Sequence, residues 1–338
     1  MALTGPLSDP ELRARWDSVL AELRGAAPDA SPIGDHVFRV DPSAQVFLSL
    51  SYLDAVHSAC PGSIQLAIND TGNQKHIAAL YVERKGPYRM IRVPPFTSYT
   101  SVAPCDRADS LQTTISTLVA DAHAFRLHLP PGTEPLDQSA VQAGGWTGGS
   151  LYTFYAPVGA AETVQQFWSE NRKRTFAKFE SSFVIDEEAS AAATLADLVT
   201  GSYARHGRRP ELSATAITRL VSKAVDTGIA RLFVCRDEVG AAQAAAAFLV
   251  YGQAAWYWTA GSHPGPAMTV LIGTVVPRLH ALGVKSFDFV GANTPSITEF
   301  KRRFGSVRQE YAYVSAVRRP ELRAAMALRA AVASARRG

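Results

Sequence analysis

The stretch FDFVGANTPSITEFKRRFGS, residues 287–306, decides how the chain is read. It opens as a strand, with Phe287 and Phe289 on one side and Asp288 on the other. Gly291 breaks the strand, and a short helix follows. Thr294 fits its N-cap, Pro295 its first position and Gly305 its stop. Phe300 and Phe304 lie one turn apart on one face. Lys301 sits beside that pair, with Arg302 and Arg303 following. The helix is either a solvated basic surface or a place where an anion is held.

Upstream, ARLFVCR (230–236), AQAAAAFLVY (242–251) and AAWYWTA (254–260) read as three strands joined by short turns. A helix over 267–283 follows, with Leu271, Val275, Leu279 and Leu282 on one face, Gly283 as its stop and Pro277 costing one hydrogen bond. VKSFDFV, the 295–304 helix and EYAYVSAV (310–317) complete the order β-β-β-α-β-α-β. The first half repeats it. Strands are expected at 63–69, 75–84 and 88–94, then a helix over 111–124, the strand RLHLP (126–130), a short helix over 136–145 and the strand LYTFYAP (151–157). A period this long excludes a solenoid and indicates a duplicated domain. Between the copies lie a helical stretch over 163–180, the strand SSFVIDE and helices near 191–204 and 213–226. The expected division is a helical extension (1–33), a first domain (34–158), a second domain (159–317) and a basic tail (318–338).

The chain has 338 residues, 47% hydrophobic and 19% charged, which fits about two folded domains and excludes a disordered chain. A net charge of +4 permits a phosphate-bearing partner. Six arginines after Val317 face one acid, Glu321. The cysteines Cys60, Cys105 and Cys235 have neither metal spacing nor a disulfide framework, as expected in a reducing compartment. With Asp9 and Glu11 near the start and no apolar run of spanning length, the expectation is a cytoplasmic protein without a membrane span. The histidines show no metal spacing, and no Ser-His-Asp order can be defended.

Three meandering antiparallel strands, then a helical crossover to a parallel strand, is the order of the GCN5-related N-acyltransferase fold. Two such copies, the second ending in FDFVGAN…FKRRFG, resemble the Fem family of peptidyl transferases. The resemblance covers roughly residues 34–317. Its specific places are PPFTSYTS (94–101), RKRTFAKF (172–179), FDFVG (287–291) and FKRRFG (300–305). It implies an α/β (α+β) fold of two tandem acyltransferase-like domains, each a mixed sheet flanked by helices. It also implies transfer of an amino acid from aminoacyl-tRNA to an amine of a peptidoglycan precursor or peptide natural product. A sister group uses acyl-CoA.

Amide formation passes through a tetrahedral oxyanion, so cations near the reacting carbonyl matter. The resemblance places Phe300 and Lys301 at the acyl-donor site, where Lys301 would meet the oxyanion or a donor phosphate. The alternative is a lysine lying along its own helix. In the first copy Ala140 or Val141 takes the Lys301 position, so one donor site is expected, in the second copy, with an acceptor cleft between the copies. Arg172, Arg174 and Lys178 form a second cluster. The resemblance assigns an arginine of this helix to acceptor phosphates, Arg174 matching best; the alternative is a solvated face balanced by Glu170 and Glu180. Tyr99 is expected to reach the cleft. Asp288, at a strand's carboxyl end, either accepts a proton or caps the next loop, which carries Asn293. Tyr257 and Trp258 alternate with Trp256, one face for the core and the other free to stack on a base. HGRRPE (206–211) reads as a turn.

An acyl-CoA enzyme of this fold holds pyrophosphate on backbone amides before the main helix. Here that place is GSHPGPAMT, where Pro264 and Pro266 remove two donors. Aminoacyl-tRNA is therefore the expected co-substrate, with no cofactor or metal, and a small peptide or peptidoglycan precursor the acceptor of a monomeric enzyme. Acyl-CoA transfer on the same scaffold is the second reading, and a non-catalytic RNA- or peptide-binding module the third. The tail is expected to start a helix at Pro320, dock weakly on the second domain and help bind tRNA.

Overall fold

The structure is a computed structural model that describes residues 2–26, 31–33, 38–40, 45–70, 75–99, 101–103, 114–131, 138–291 and 294–335. The first half runs β1 (Ala2–Pro6), α1 (Pro10–Ala26), the hairpin β2 (Ser31–Ile33) and β3 (Phe38–Val40), and α2 (Leu50–Ala59). Then come β4 (Ser63–Asp70), β5 (Lys75–Lys85), β6 (Tyr88–Arg92) and β7 (Ser101–Ala103). A helix described over 114–118 (α3) leads to β8 (Ala124–His128), α4 (Gln138–Ala143) and β9 (Thr147–Ala156). The second half holds α5 (Ala161–Gln166), α6 (Glu170–Phe179), β10 (Val184–Glu187), α7 (Ala192–Ala204) and α8 (Ala214–Asp226). It continues with β11 (Ala230–Arg236), β12 (Ala242–Tyr251), β13 (Ala254–Ser262), α9 (Ala267–Ala281) and β14 (Ser286–Asp288). It ends with α10 (Pro295–Arg302), β15 (Val307–Val317) and α11 (Pro320–Ala335).

The strands make one continuous mixed sheet in the order β1-β4-β5-β6-β8-β15-β9-β14-β13-β12-β11-β10, with β7 beside β5. Its centre is an exchange. The last strand of the second half, β15, lies between β8 and β9, and the last strand of the first half, β9, lies between β15 and β14. The two exchanged strands pair antiparallel along nine residue pairs, from Val307 opposite Tyr155 to Ser315 opposite Thr147. On either side the neighbours match: β6 pairs parallel with β8, and β13 parallel with β14. The pattern is that of a duplicated unit whose copies have traded their final strands.

Burial follows this plan. On one face a single core gathers Trp16, Phe47, Tyr52 and Leu66 of the first half with Leu195, Leu220 and Trp256 of the second. On the other face each half keeps its own core: Ile115, Phe125 and Trp146 in one, Trp168, Phe248, Leu271 and Phe287 in the other. At about 25 cal/mol per Å² of buried apolar surface, the shared core makes the halves stabilise each other.

Several elements differ from the sequence expectation. The extension carries a strand, β1, that pairs antiparallel with β4. The 163–180 stretch is two helices, because Ser169 caps α6 by accepting from the Arg172 amide and the chain turns at Trp168. The helix expected over 111–124 ends by 118, in a turn before β8. Pro277 sits inside α9, which continues through it. α11 begins at Pro320 as expected, but it lies over strands central to the first half. The strand exchange accounts for this, since β15 delivers the chain there. Arg318 is spent on structure: its guanidinium donates to the carbonyls of Val119, Ala120 and Ala122 at 2.6–3.3 Å.

Candidate active site

The 287–306 stretch keeps the expected strand-to-helix order, but the break falls at Val290 rather than Gly291, and Thr294 opens α10 without a side-chain cap. β14 ends at Asp288, α10 has Pro295 at its start, and Gly305 adopts φ +70° after it. A Cβ at Gly305 would stand 2.2 Å from the Phe167 carbonyl oxygen, so only glycine fits the turn.

The three cations at the end of α10, Lys301, Arg302 and Arg303, have two different fates. Lys301 is 4% exposed and points inward. Its ammonium donates to the carbonyl oxygens of Phe289 (2.7 Å), Val290 (2.6 Å) and Gly291 (2.6 Å). All three N–H groups are thereby used, and none is left for an anion in this geometry. Burial lowers the Lys301 pKa to about 7, and the neighbouring Asp288 carboxylate opposes that shift. Arg302 and Arg303 instead pair with Glu299, whose carboxyl they pull down to about 2.

The lysine ties down a strained segment. Val290 has φ +49°, a conformation costing a β-branched residue of order 1–3 kcal/mol. Its amide donates to Asp288 Oδ1 at 2.7 Å while its carbonyl accepts from Lys301. Asp288, 1% exposed, also accepts from Tyr99 Oη at 2.7 Å and from Thr153 Oγ1. Burial raises its pKa, and the three donors and Lys301 oppose the rise. Tyr99 and Thr153 belong to the first half, so this network joins the halves at the carboxyl end of β14. Thr153 escaped the sequence reading because it becomes a partner of Asp288 only through the strand exchange.

Beyond Trp256, opposite Asp288, the pairing of β13 and β14 ends while β13 runs on to Ser262 ahead of α9; the fork where the two strands part is the β13–β14 splay. Between β13 and α9 the His263 amide donates to Gln243, and prolines occupy 264 and 266. The four residues 263–266 therefore offer one uncommitted amide, that of Gly265, ahead of the first amides of α9. Arg172 closes this region from α6. It is 9% exposed, stacks at 4.7 Å from the Phe300 ring centre and 4.5 Å from that of Phe304, and donates to Thr269 Oγ1. Burial lowers its pKa to about 10.

The basic cluster of α6 does not act as one group. Arg172 turns into the protein, whereas Arg174 and Lys178, two positions round the helix, are exposed. Trp258 is core: its indole donates to the Phe96 carbonyl at 2.7 Å, which removes it from base stacking. Tyr257 faces the other way, its hydroxyl 3.1 Å from Met268 Sδ at the start of α9. Asn293 lies outside the described residues.

The equivalent splay in the first half opens a cleft. β6 and β8 pair through Met90–Ala124 and Ile91–Phe125, then separate. The resulting space of about 620 Å³ is lined by Arg92, Phe96, Arg126 and His128 of the first half and by Tyr203, Arg209 and Glu211 of the second. It therefore lies between the copies. Phe96 has φ +57°, a second strained residue. Burial holds His128 neutral, with its pKa pulled to about 4. The Ser98 carbonyl lies 3.1 Å from His128 Nδ1, so the segment 96–99 runs from the cleft wall to the Tyr99–Asp288 contact. Arg92 and Arg126 had a signal that went unused: they are polar positions at the matching ends of two parallel strands. Arg209 was read as part of a turn.

The fold is a GCN5-related N-acyltransferase fold, Fem-like in its two exchanged halves. The model of the acetyltransferase (GNAT) domain family matches residues 168–302. The structure of FemX superposes with a TM-score of 0.62 at 11% identity, covering 84% of this chain and 97% of FemX. A conserved protein of unknown function from Bacteroides thetaiotaomicron gives 0.57 at 10% identity, over 93% of this chain and 99% of its own. L-PGS from Bacillus licheniformis gives 0.52 at 13%, over 96% of both chains. The C-terminal domain of a putative lysylphosphatidylglycerol synthetase from Agrobacterium fabrum gives 0.50 at 15%, over 93% of this chain and 96% of its own. No curated protein matches by sequence. Among the described residues no helix is long and apolar enough to cross a membrane, and no cluster of three metal-ligating side chains occurs.

Proposed function

We infer that the protein is an aminoacyltransferase that takes an amino acid from aminoacyl-tRNA and joins it to an amine of a peptide-type acceptor. A peptidoglycan precursor or a peptide natural product fits that description, and the cytoplasm supplies the donor. The carrying observation is the 263–266 segment, where one amide is spent, two are missing and only that of Gly265 is left where an acyl-CoA enzyme uses several. The Fem-like fold and the name lysylphosphatidylglycerol synthetase among its structural neighbours support aminoacyl transfer.

In this reading the aminoacyl end enters the β13–β14 splay, beside Phe300. The acceptor occupies the cleft of Arg92, Arg126 and Arg209. Its neutral amine attacks the ester carbonyl, the bond to the ribose oxygen breaks, and the amine's proton leaves with that hydroxyl. Lys301 and Asp288 are positioning residues that fix the strained 288–291 segment forming the splay's wall. Arg174 and Lys178 meet donor or acceptor phosphates from the exposed face of α6.

The second reading is acyl-CoA as donor, favoured by the match of the acetyltransferase family to 168–302, a span containing the whole β13–β14 splay. Incubation with a labelled aminoacyl-tRNA pool and candidate peptides, with and without ribonuclease, separates the two. Label in peptide that vanishes with ribonuclease is expected. Product that persists without tRNA, or forms from acyl-CoA alone, overturns the proposal.

A further inference from the structure

The cleft does not end at Arg92 and Arg126. Past the same two side chains lies a second cavity of about 670 Å³, between the sheet and α11. Its character is different: Met90, Ala124, Val317, Leu322 and Met326 line it, with Lys85 among them. Met326 stays 54% exposed although it faces this space, an apolar side chain without a full partner.

The floor is continuous from one cavity to the other. Across β8 and β15, Ala124 stands opposite Val317, Arg126 opposite Ser315 and His128 opposite Tyr313. Tyr313 in turn lies across Gly149, where a Cβ would meet its ring at 2.6 Å, so the floor stays flat at that point. From Val317 to Tyr313 this floor extends about 14 Å at ~3.4 Å per residue. Four cations, Lys85, Arg92, Arg126 and Arg209, face it; the carboxylates beside them are Glu211 and Glu83, both paired with Arg92. Arg126 is held over the Tyr313 ring at 4.3 Å, at the junction of the two spaces.

We propose that the two cavities form one bipartite site for a single-chain amphiphile. Its carboxylate or phosphate lies among Arg92, Arg126 and Arg209, and its apolar chain lies between the sheet and α11. Glu83 pairs with Arg92 at 3.0 Å, so an anion chiefly answers Arg126 and Arg209, which have no carboxylate within 4 Å among the described residues, and an apolar chain covers Met326 and Leu322. The proposal rests on the transferase reading only for the statement that this amphiphile is the acceptor; the binding stands independently.

The test is calorimetric titration of the full chain with inorganic phosphate and with hexyl, octyl and dodecyl phosphate below their micelle concentrations. Affinity is expected to rise about three- to fourfold per methylene until the groove is filled. Ala325→Trp, which fills the apolar arm, is expected to flatten that dependence while leaving inorganic phosphate binding unchanged. Leu322→Ser, a milder change, is expected to reduce it. Arg126→Gln is expected to weaken every phosphate at least tenfold. Vesicles of anionic lipid that compete with dodecyl phosphate would name a bilayer lipid as the source, and vesicles that do not compete would name a soluble amphiphile; either supports the site. Affinity independent of chain length, or a chain-length dependence unaltered in both groove variants, overturns it. Loss of transfer from tRNA with this binding intact counts against the donor assignment instead.

Discussion

Replacing Lys301 by methionine tests whether this side chain holds the site together. The substitution keeps most of the volume and removes an ammonium that donates to three carbonyls at 2.6–2.7 Å. Breaking a buried charged network by removing one partner costs about 3–5 kcal/mol, because the groups left behind stay desolvated. Relaxation of Val290 from φ +49° returns part of that, of order 1–3 kcal/mol at most. A net loss of up to about 4 kcal/mol, centred near 2, is expected, a large share of the 5–15 kcal/mol typical of a domain. Urea denaturation at constant m-value reads it. The pH dependence adds a sign. Because the folded pKa, about 7, lies below the ordinary 10.5, the unfolded chain binds more protons between those values. Wild-type stability relative to Lys301→Met should therefore rise between pH 7 and 10.5, and level off below 7. A variant within about 0.5 kcal/mol of wild type, with transfer abolished, would refute the positioning role and restore a lysine that acts on the ligand.

Gly305→Ala should cost more than 2 kcal/mol, since a left-handed residue pays ~1–2 kcal/mol and the Cβ also meets the Phe167 carbonyl; thermal unfolding of Gly86→Ala, at φ +59° in open space, gives the strain alone. The Lys301 ε-carbon, followed by NMR, should titrate near 7, and Asp288→Asn should move the midpoint lower, because the carboxylate is the charge that raises it. Arg209→Ala should raise the KM for the acceptor about tenfold with little change in kcat, as expected for a rim contact at the cleft; an altered kcat with constant KM would count against the acceptor assignment. Arg318→Ala, which removes three carbonyl contacts, should lower stability by about 1–3 kcal/mol without changing KM for either substrate.

What was legible in the chain was local. The Pro295 start and Gly305 stop of α10 and the order of the main strands and helices from β4 onward follow from short-range rules, and the structure repeats them, whereas α2, β7 and the β2–β3 hairpin were not read. The strand exchange was not legible, because β9 and β15 carry the same alternation whichever neighbour they take. That one fact decides where α11 docks, why Thr153 meets Asp288 and why Arg92 and Arg126 face the second half's Arg209. Burial was the other blind spot. Lys301 and Arg172 look like surface cations in sequence, yet each is more than nine-tenths buried, one answered by carbonyls and the other by aromatic faces. Charge in a helix usually signals solvent, and nothing local in the sequence distinguishes the exception.

The most direct measurement is a crystal structure of the protein with a stable amide analogue of the 3′-aminoacyl-adenosine end of tRNA. The account predicts the aminoacyl group in the β13–β14 splay, within contact of Phe300 and of the 289–291 backbone, with the Arg92–Arg126–Arg209 cleft left for the acceptor. Density for the analogue in the β6–β8 splay, or none at saturating concentration alongside clear binding of acyl-CoA, would contradict it.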